Sequence, residues 1–133
     1  MRLKDYFAEK HGIGVLATAD ATGKVDAAIY ARPLLLDDGS CVFIMRDRLT
    51  HLNLQDNPYA AYLFTEAGHG YKGLRLYLKK VREDTDPELV HQLTRRCLSP
   101  EEDRSKGPKF LVYFAIERIL NLVGSGSADI QPV

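Results

Sequence analysis

The sequence predicts a mainly β, antiparallel fold that closes into a small barrel, and three observations predict it. Runs of residues alternate apolar and polar side chains with a period of two, Gly- and Asp-containing turns separate the first of these runs, and no repeat or linker divides the 133 residues. A chain of this length holds one core, so residues 1–133 read as one domain. An apolar fraction of 45% with 27% charged residues is ordinary for a folded protein and excludes a disordered or fibrous class.

The elements follow in order. Leu3, Tyr6 and Phe7, separated by charged residues, predict a short amphipathic helix that ends before Gly12 and covers an open end of the barrel. GIGVLATAD (12–20) reads as a strand, ATGK (21–24) as a hairpin turn, and VDAAIYARPLLL (25–36) as the next strand. DDGS (37–40) turns the chain into CVFIMRD (41–47). Turns this tight make an antiparallel meander, because parallel strands need crossovers of about a dozen residues.

Leu49, Leu52 and Leu54 then predict a short helix, with Asp47 or Thr50 as candidate caps and Asn57-Pro58 as its stop. YAAYLFTEA (59–67) and YKGLRLYLKKVRED (71–84) return to strand, with Leu74, Leu76 and Leu78 facing one way and Arg75, Tyr77 and Lys79 the other. Asp86-Pro87 opens a helix with Leu89, Val90, Leu93 and Leu98 as its stripe, and a polar loop follows. KFLVYFAIERILNLV (109–123) reads as the last of six strands, and GSGSADIQPV (124–133) as a loose tail.

Eighteen basic residues balance eighteen acidic ones, so no long-range field draws the chain to nucleic acid or to an anionic membrane, and any anion must be captured locally. No segment approaches the roughly 20 apolar residues of a membrane helix. MRLKDYFAEK carries charges where a secretory leader is apolar, so the expected location is the cytoplasm. Cys41 and Cys97 would stay reduced there and read as small hydrophobes. No His, Cys and carboxylate set has metal spacing, and no nucleophile and base pair stands out, so no metal is expected and the catalytic residues are unassigned.

The informative stretch is DAAIYARPLLLDDGSCVFIMRDRLTHLNLQDNP (26–58). It sets Arg46, Arg48 and Thr50 at a strand-to-helix junction, where free backbone N–H groups and the helix dipole favour a phosphate. Two guanidinium groups and a hydroxyl would complete an anion cradle, although the same residues also read as a solvated face pairing with Asp47.

With DAAIYARP (26–33), RLTHLNLQDNP (48–58) and the following AAYLF, the chain from about Gly12 to Lys80 resembles the pyridoxamine 5′-phosphate oxidase-like FMN-binding split barrels. The resemblance implies a six-stranded antiparallel split barrel that pairs as a homodimer, with flavin at the subunit interface and a small-molecule redox substrate. It implies that Ile29, Tyr30, Ala31 and Arg32 contact the ring or ribityl chain, and that Met45, Arg46, Arg48, Leu49 and Thr50 surround the phosphate. Arg32, or a backbone N–H of its strand, would face the ring's N1–C2=O edge. Many relatives have a lysine near the position of Thr50, a charge that Arg46 and Arg48 would have to supply here. The oxidases end in a Trp- and Arg-containing segment, whereas this chain has no Trp, which argues against oxidation of pyridoxamine phosphate.

The expected function is an FMN-dependent oxidoreductase. A flavin-binding module without turnover, serving electron transfer, sensing or storage, and a split barrel binding haem or deazaflavin are the alternatives. His51, beside the junction, is a candidate to touch flavin or substrate, weighed against a capping or exposed histidine. His69, between Gly68 and Gly70, is a candidate gate for the ring.

Overall fold

Short side chains set the turns. The Asp20 carboxylate accepts bonds from the Thr22 N–H, the Thr22 hydroxyl and the Lys24 N–H, while Gly23 takes the positive φ of 90° that closes the hairpin. A computed structural model describes residues 1–85 and 109–133, so the expected helix from Asp86, its loop and Cys97 lie outside the described residues. Helix α1 (Leu3–Glu9) precedes strands β1 (Gly12–Ala19), β2 (Val25–Ile29), β3 (Leu34–Leu35) and β4 (Cys41–Arg46). Helix α2 (Leu49–Asp56), β5 (Tyr59–Glu66), β6 (Gly73–Asp84) and β7 (Lys109–Asn121) follow.

All strands belong to one antiparallel sheet in the order β2-β1-β5-β6-β7-β4-β3. Laid flat, seven strands would span about 29 Å. Yet the edge strands β2 and β3 are joined by residues 30–33 alone, a reach of about 18 Å. The sheet must therefore curl, and it does so around Leu16, Phe43, Met45, Tyr62, Phe64, Leu76, Val112 and Phe114. Leu3, Tyr6 and Phe7 of α1 pack into the same core.

Two details differ from the sequence reading. The run 25–36 is two strands, giving seven among the described residues where six were expected. Pro33 has no N–H for a ladder and restricts Arg32 before it, so pairing lapses between Ile29 and Leu34. The expected loose tail is instead tied back: Gln131 bonds to Met1 and Leu3, Ala128 bonds to Ile119, and Ala128 and Ile130 pack on the core. Among the described residues no helix is long and apolar enough to cross a membrane.

Two fastenings position the region between β2 and α2. The Tyr62 hydroxyl passes Gly14 and donates to the Tyr30 carbonyl at 3.0 Å, and a Cβ at Gly14 would lie 1.8 Å from that oxygen. Helix α2 is seated by Leu54 in the core and by buried Asn53, whose amide donates to the Thr18 hydroxyl at 3.1 Å. His51 stacks on Phe110 at 3.9 Å, with Nδ1 3.2 Å from Asp47 and Nε2 2.8 Å from Glu83. Burial pushes the Glu83 carboxyl up, but hydrogen bonds from Lys80, His51 and Gln55 outweigh it and hold the pKa at about 2.

Two predictions follow from these fastenings. Gly14→Ala should displace the Tyr62 hydroxyl and destabilise the fold by about 1–3 kcal/mol in a denaturant titration, with Tyr62→Phe costing about 1 kcal/mol. The ionised Glu83 contributes stability that is fully present above the ordinary carboxyl value of 4.5 and is lost as pH falls towards about 2. Stability measured from pH 5 to 2 should thus fall with a slope about one proton steeper in wild type than in Glu83→Gln.

Candidate functional site

Where β2, the 30–33 link, β4 and the start of α2 converge, the barrel leaves a cleft of about 330 Å³. Ile29, Tyr30, Ala31, Arg32, Met45, Arg46, Arg48, Leu49 and Thr50, separated in sequence, all line it. So do Asp26, Ala28, Leu34, Val42, Phe43, Ile44 and Lys109, which the sequence reading missed. Asp26 and Ala28 were within reach of the period-two rule, because they share a strand face with Tyr30. Lys109 was not: only the register of β4 on β7, which sets Arg46 opposite Lys109, brings it here.

The cleft has two ends of different chemistry. One is apolar, formed by Ile29, Leu34, Val42 and Ile44. The other carries Arg46, Arg48, Lys109 and Thr50 around the first turn of α2, with the Asp26 carboxylate near enough to act on the same Tyr30 phenol as Arg48 and Thr50. Arg48 is the N-cap, with extended φ and ψ of −131° and −172°, and no side chain caps the helix. Neither expected cap is used: Asp47 turns to His51, and Thr50 faces the Tyr30 phenol. The N–H groups of this turn and the positive helix end therefore add to the cationic side chains.

Tyr30 links the two ends. Its ring meets Phe43 edge-on at 6.0 Å. Burial first and the Asp26 charge last raise the phenol's pKa, the Thr50 hydrogen bond and the Arg48 charge lower it, and the net direction is upward. The phenol is a neutral hydrogen-bonding group at physiological pH. Met45 borders the cleft while its side chain packs in the core at 1% exposure.

Arg32 lines the cleft and also braces α1. Its Nη1 donates to the Phe7 carbonyl and, at 2.8 Å, to the Lys10 carbonyl, so the guanidinium closes the end of α1. The backbone of β2 offers the alternative donors for a ring edge. In the β1 ladder Tyr30 N bonds to Gly14 O, so by alternation the polar groups of Ala27 and Ile29 face away from β1 along the open edge of the sheet. His51 is committed to Asp47, Glu83 and Phe110, and neither it nor exposed His69 lines the cleft. Cys41 is fully buried, which raises its pKa, and behaves as a small hydrophobe.

No protein-family model matches the chain, and no curated protein matches it in sequence. Solved structures do. HupZ from Group A Streptococcus is 22% identical with a TM-score of 0.72 over 95% of both chains. An FMN-binding protein from Syntrophomonas wolfei subsp. wolfei is 17% identical with a TM-score of 0.71, over 92% of this chain and 85% of that one. A pyridoxamine 5′-phosphate oxidase candidate from Lactobacillus delbrueckii is 15% identical with a TM-score of 0.65, over 90% and 92%.

The same fold recurs in an F420 reductase (17% identity, TM-score 0.64, 90% and 97% covered). It recurs again in a haem-binding protein from Mycobacterium smegmatis (19%, 0.60, 85% of this chain), of whose length the chain spans about half (49%). Neighbours of this fold thus bind FMN, F420 or haem, and identities this low speak to architecture alone. Seven antiparallel strands curled around one core, with a cleft at the split, give this chain the fold of the pyridoxamine 5′-phosphate oxidase-like split barrels.

Proposed function

We propose that the chain is an FMN-binding oxidoreductase acting on a small molecule as a homodimer in the cytoplasm. One observation carries the reading: a single cleft has an apolar end of β2, β3 and β4 residues and a cationic end at an uncapped helix start. Those are the two chemistries that a flat ring with a phosphate tail requires. The volume lies within the roughly 300–1,000 Å³ of small-molecule sites.

In this reading Arg46, Arg48 and Thr50 hold the phosphate, and Ile29, Tyr30 and Ala31 lie along the ring or ribityl chain. Arg32, or backbone N–H groups on the open edge of β2, face the ring's N1–C2=O edge. Bound FMN would supply the hydride and electron transfer. The protein orients it, excludes water from one face and places positive charge at its tail. Ile29 and Leu49 line the cleft yet are 72% and 53% exposed, so a second copy related by a two-fold axis would supply the missing wall.

Titration with FMN should give saturable binding of one flavin per chain. Arg48→Ala should weaken FMN by about 10- to 100-fold, the cost of a charge-assisted hydrogen bond, and riboflavin by less than about 3-fold. Absence of FMN binding in wild type overturns the proposal, and equal weakening of both flavins misplaces the phosphate. Anaerobic mixing of FMN-loaded protein with NADH or NADPH should bleach the flavin within catalytic times. A spectrum unchanged by either nucleotide leaves the flavin-binding reading standing and removes nicotinamide-driven turnover from it.

A further inference from the structure

His51 stands outside the cleft, yet it is built into the helix that frames it. The ring's Nδ1 lies 3.2 Å from Asp47 Oδ1, and its Nε2 lies 2.8 Å from Glu83 Oε2. A neutral imidazole carries one N–H and serves one of these carboxylates, whereas the imidazolium donates to both. The two carboxylates differ in what else they can do. Asp47 is 64% exposed and can turn to water, while Glu83 on β6 is only 21% exposed. With the shorter bond and the drier oxygen, Glu83 keeps the single N–H of a neutral ring, and the Nδ1 lone pair then repels Asp47.

The groups that face the ring come from each element packed on it. Asp47 stands at the corner between β4 and α2, and Gln55, one turn on in α2, donates to the His51 carbonyl and to Glu83. From β6 comes Glu83, ionised with a pKa of about 2 and shared with Lys80. From β7 comes the uncharged ring of Phe110, stacked at 3.9 Å.

The Asp47 contact spans the first turn of α2, from the residue before the Arg48 N-cap to the third helical position, and no side chain caps this end. An eight-residue helix is marginal alone, so a bond across its first turn bears on whether that turn stays formed. The turn carries Arg48, Leu49 and Thr50, all of which line the cleft. A cation in a first turn opposes the helix dipole, and the two carboxylates offset that opposition.

We propose that His51 is a pH-sensitive latch on α2. Charged, the ring ties Asp47 to Glu83 and holds the helix start, with Arg48, Leu49 and Thr50, against the cleft. Neutral, it keeps Glu83, releases Asp47 and loosens the turn. Histidine changes charge between about pH 5 and 8. The latch is a property of the packing of α2 on β6, and its effect on ligand affinity rests on the flavin reading.

The test is amide hydrogen exchange on the ligand-free full chain at about pH 5.5 and 8.0, expressed as protection factors so that the intrinsic effect of pH on exchange is divided out. The amides of Leu52, Asn53 and Leu54 should be about 3-fold better protected at the lower pH in wild type, the size of an exposed ion pair. In Asp47→Asn and in His51→Gln they should be equally protected at both. A wild-type ratio near one, or a ratio that either variant keeps, overturns the latch. The dissociation constant of His51→Gln for FMN should exceed that of wild type about 3-fold at the lower pH and match it at the higher, the titration of the phosphate itself cancelling in the comparison. The same factor at both pH values overturns the coupling to the cleft. A wild type that binds no FMN overturns the flavin reading and leaves the exchange result to decide the latch.

Discussion

The link between Ile29 and Leu34 carries the chain from one edge of the sheet to the other in residues 30–33, and the barrel depends on it. Pro33 cannot donate to a ladder, so the link cannot simply continue β2 into β3. It is held instead by tertiary bonds: the Tyr30 N–H to Gly14, the Tyr62 hydroxyl to the Tyr30 carbonyl, and the Arg32 guanidinium to the end of α1. A barrel closed by a peptide link lacking a ladder has a gap in its wall, and the cleft lies along that gap.

Helix α2 flanks the same gap. At eight residues it is too short to persist alone, since isolated helices below about 12–15 residues are marginal. Its position is therefore set by what grips it: Leu54 in the core, Asn53 on Thr18, and His51 between Phe110 and Glu83. The stretch RLTHLNLQDNP divides accordingly. Arg48, Leu49 and Thr50 line the cleft, while His51, Asn53, Leu54 and Asn57 seat the helix, with Asn57 bonding to Asp20 and to the Tyr59 N–H. The stretch thus consists in good part of the scaffolding of the cleft it borders.

The chain is electrically balanced as a whole, yet its cleft is not uniform. Arg46, Arg48 and Lys109 gather at one end, and the start of α2 adds its dipole without a capping side chain to absorb it. Such a site attracts anions at contact range, where low dielectric strengthens the pull, and leaves little field at a distance.

Local rules were enough for much of this protein. Period-two alternation fixed the strands, Asp20 and Gly23 fixed the first hairpin and Asn57-Pro58 ended α2, while the residues that converge on the cleft came from the family resemblance carried by DAAIYARP and RLTHLNLQDNP. The break at Pro33 was misread although the proline marks it locally, whereas the anchored tail was misread because its partners Met1 and Leu3 are distant in sequence. The same reason hid Lys109, which reaches Arg46 only through strand register, and left His51 undecided until Glu83 and Phe110 enclosed it. Sequence determined which segments are strands and which residues carry charge. Tertiary structure alone decided which of those charges share a cleft, because pairing across a sheet is a contact between segments whose separation along the chain no local pattern encodes.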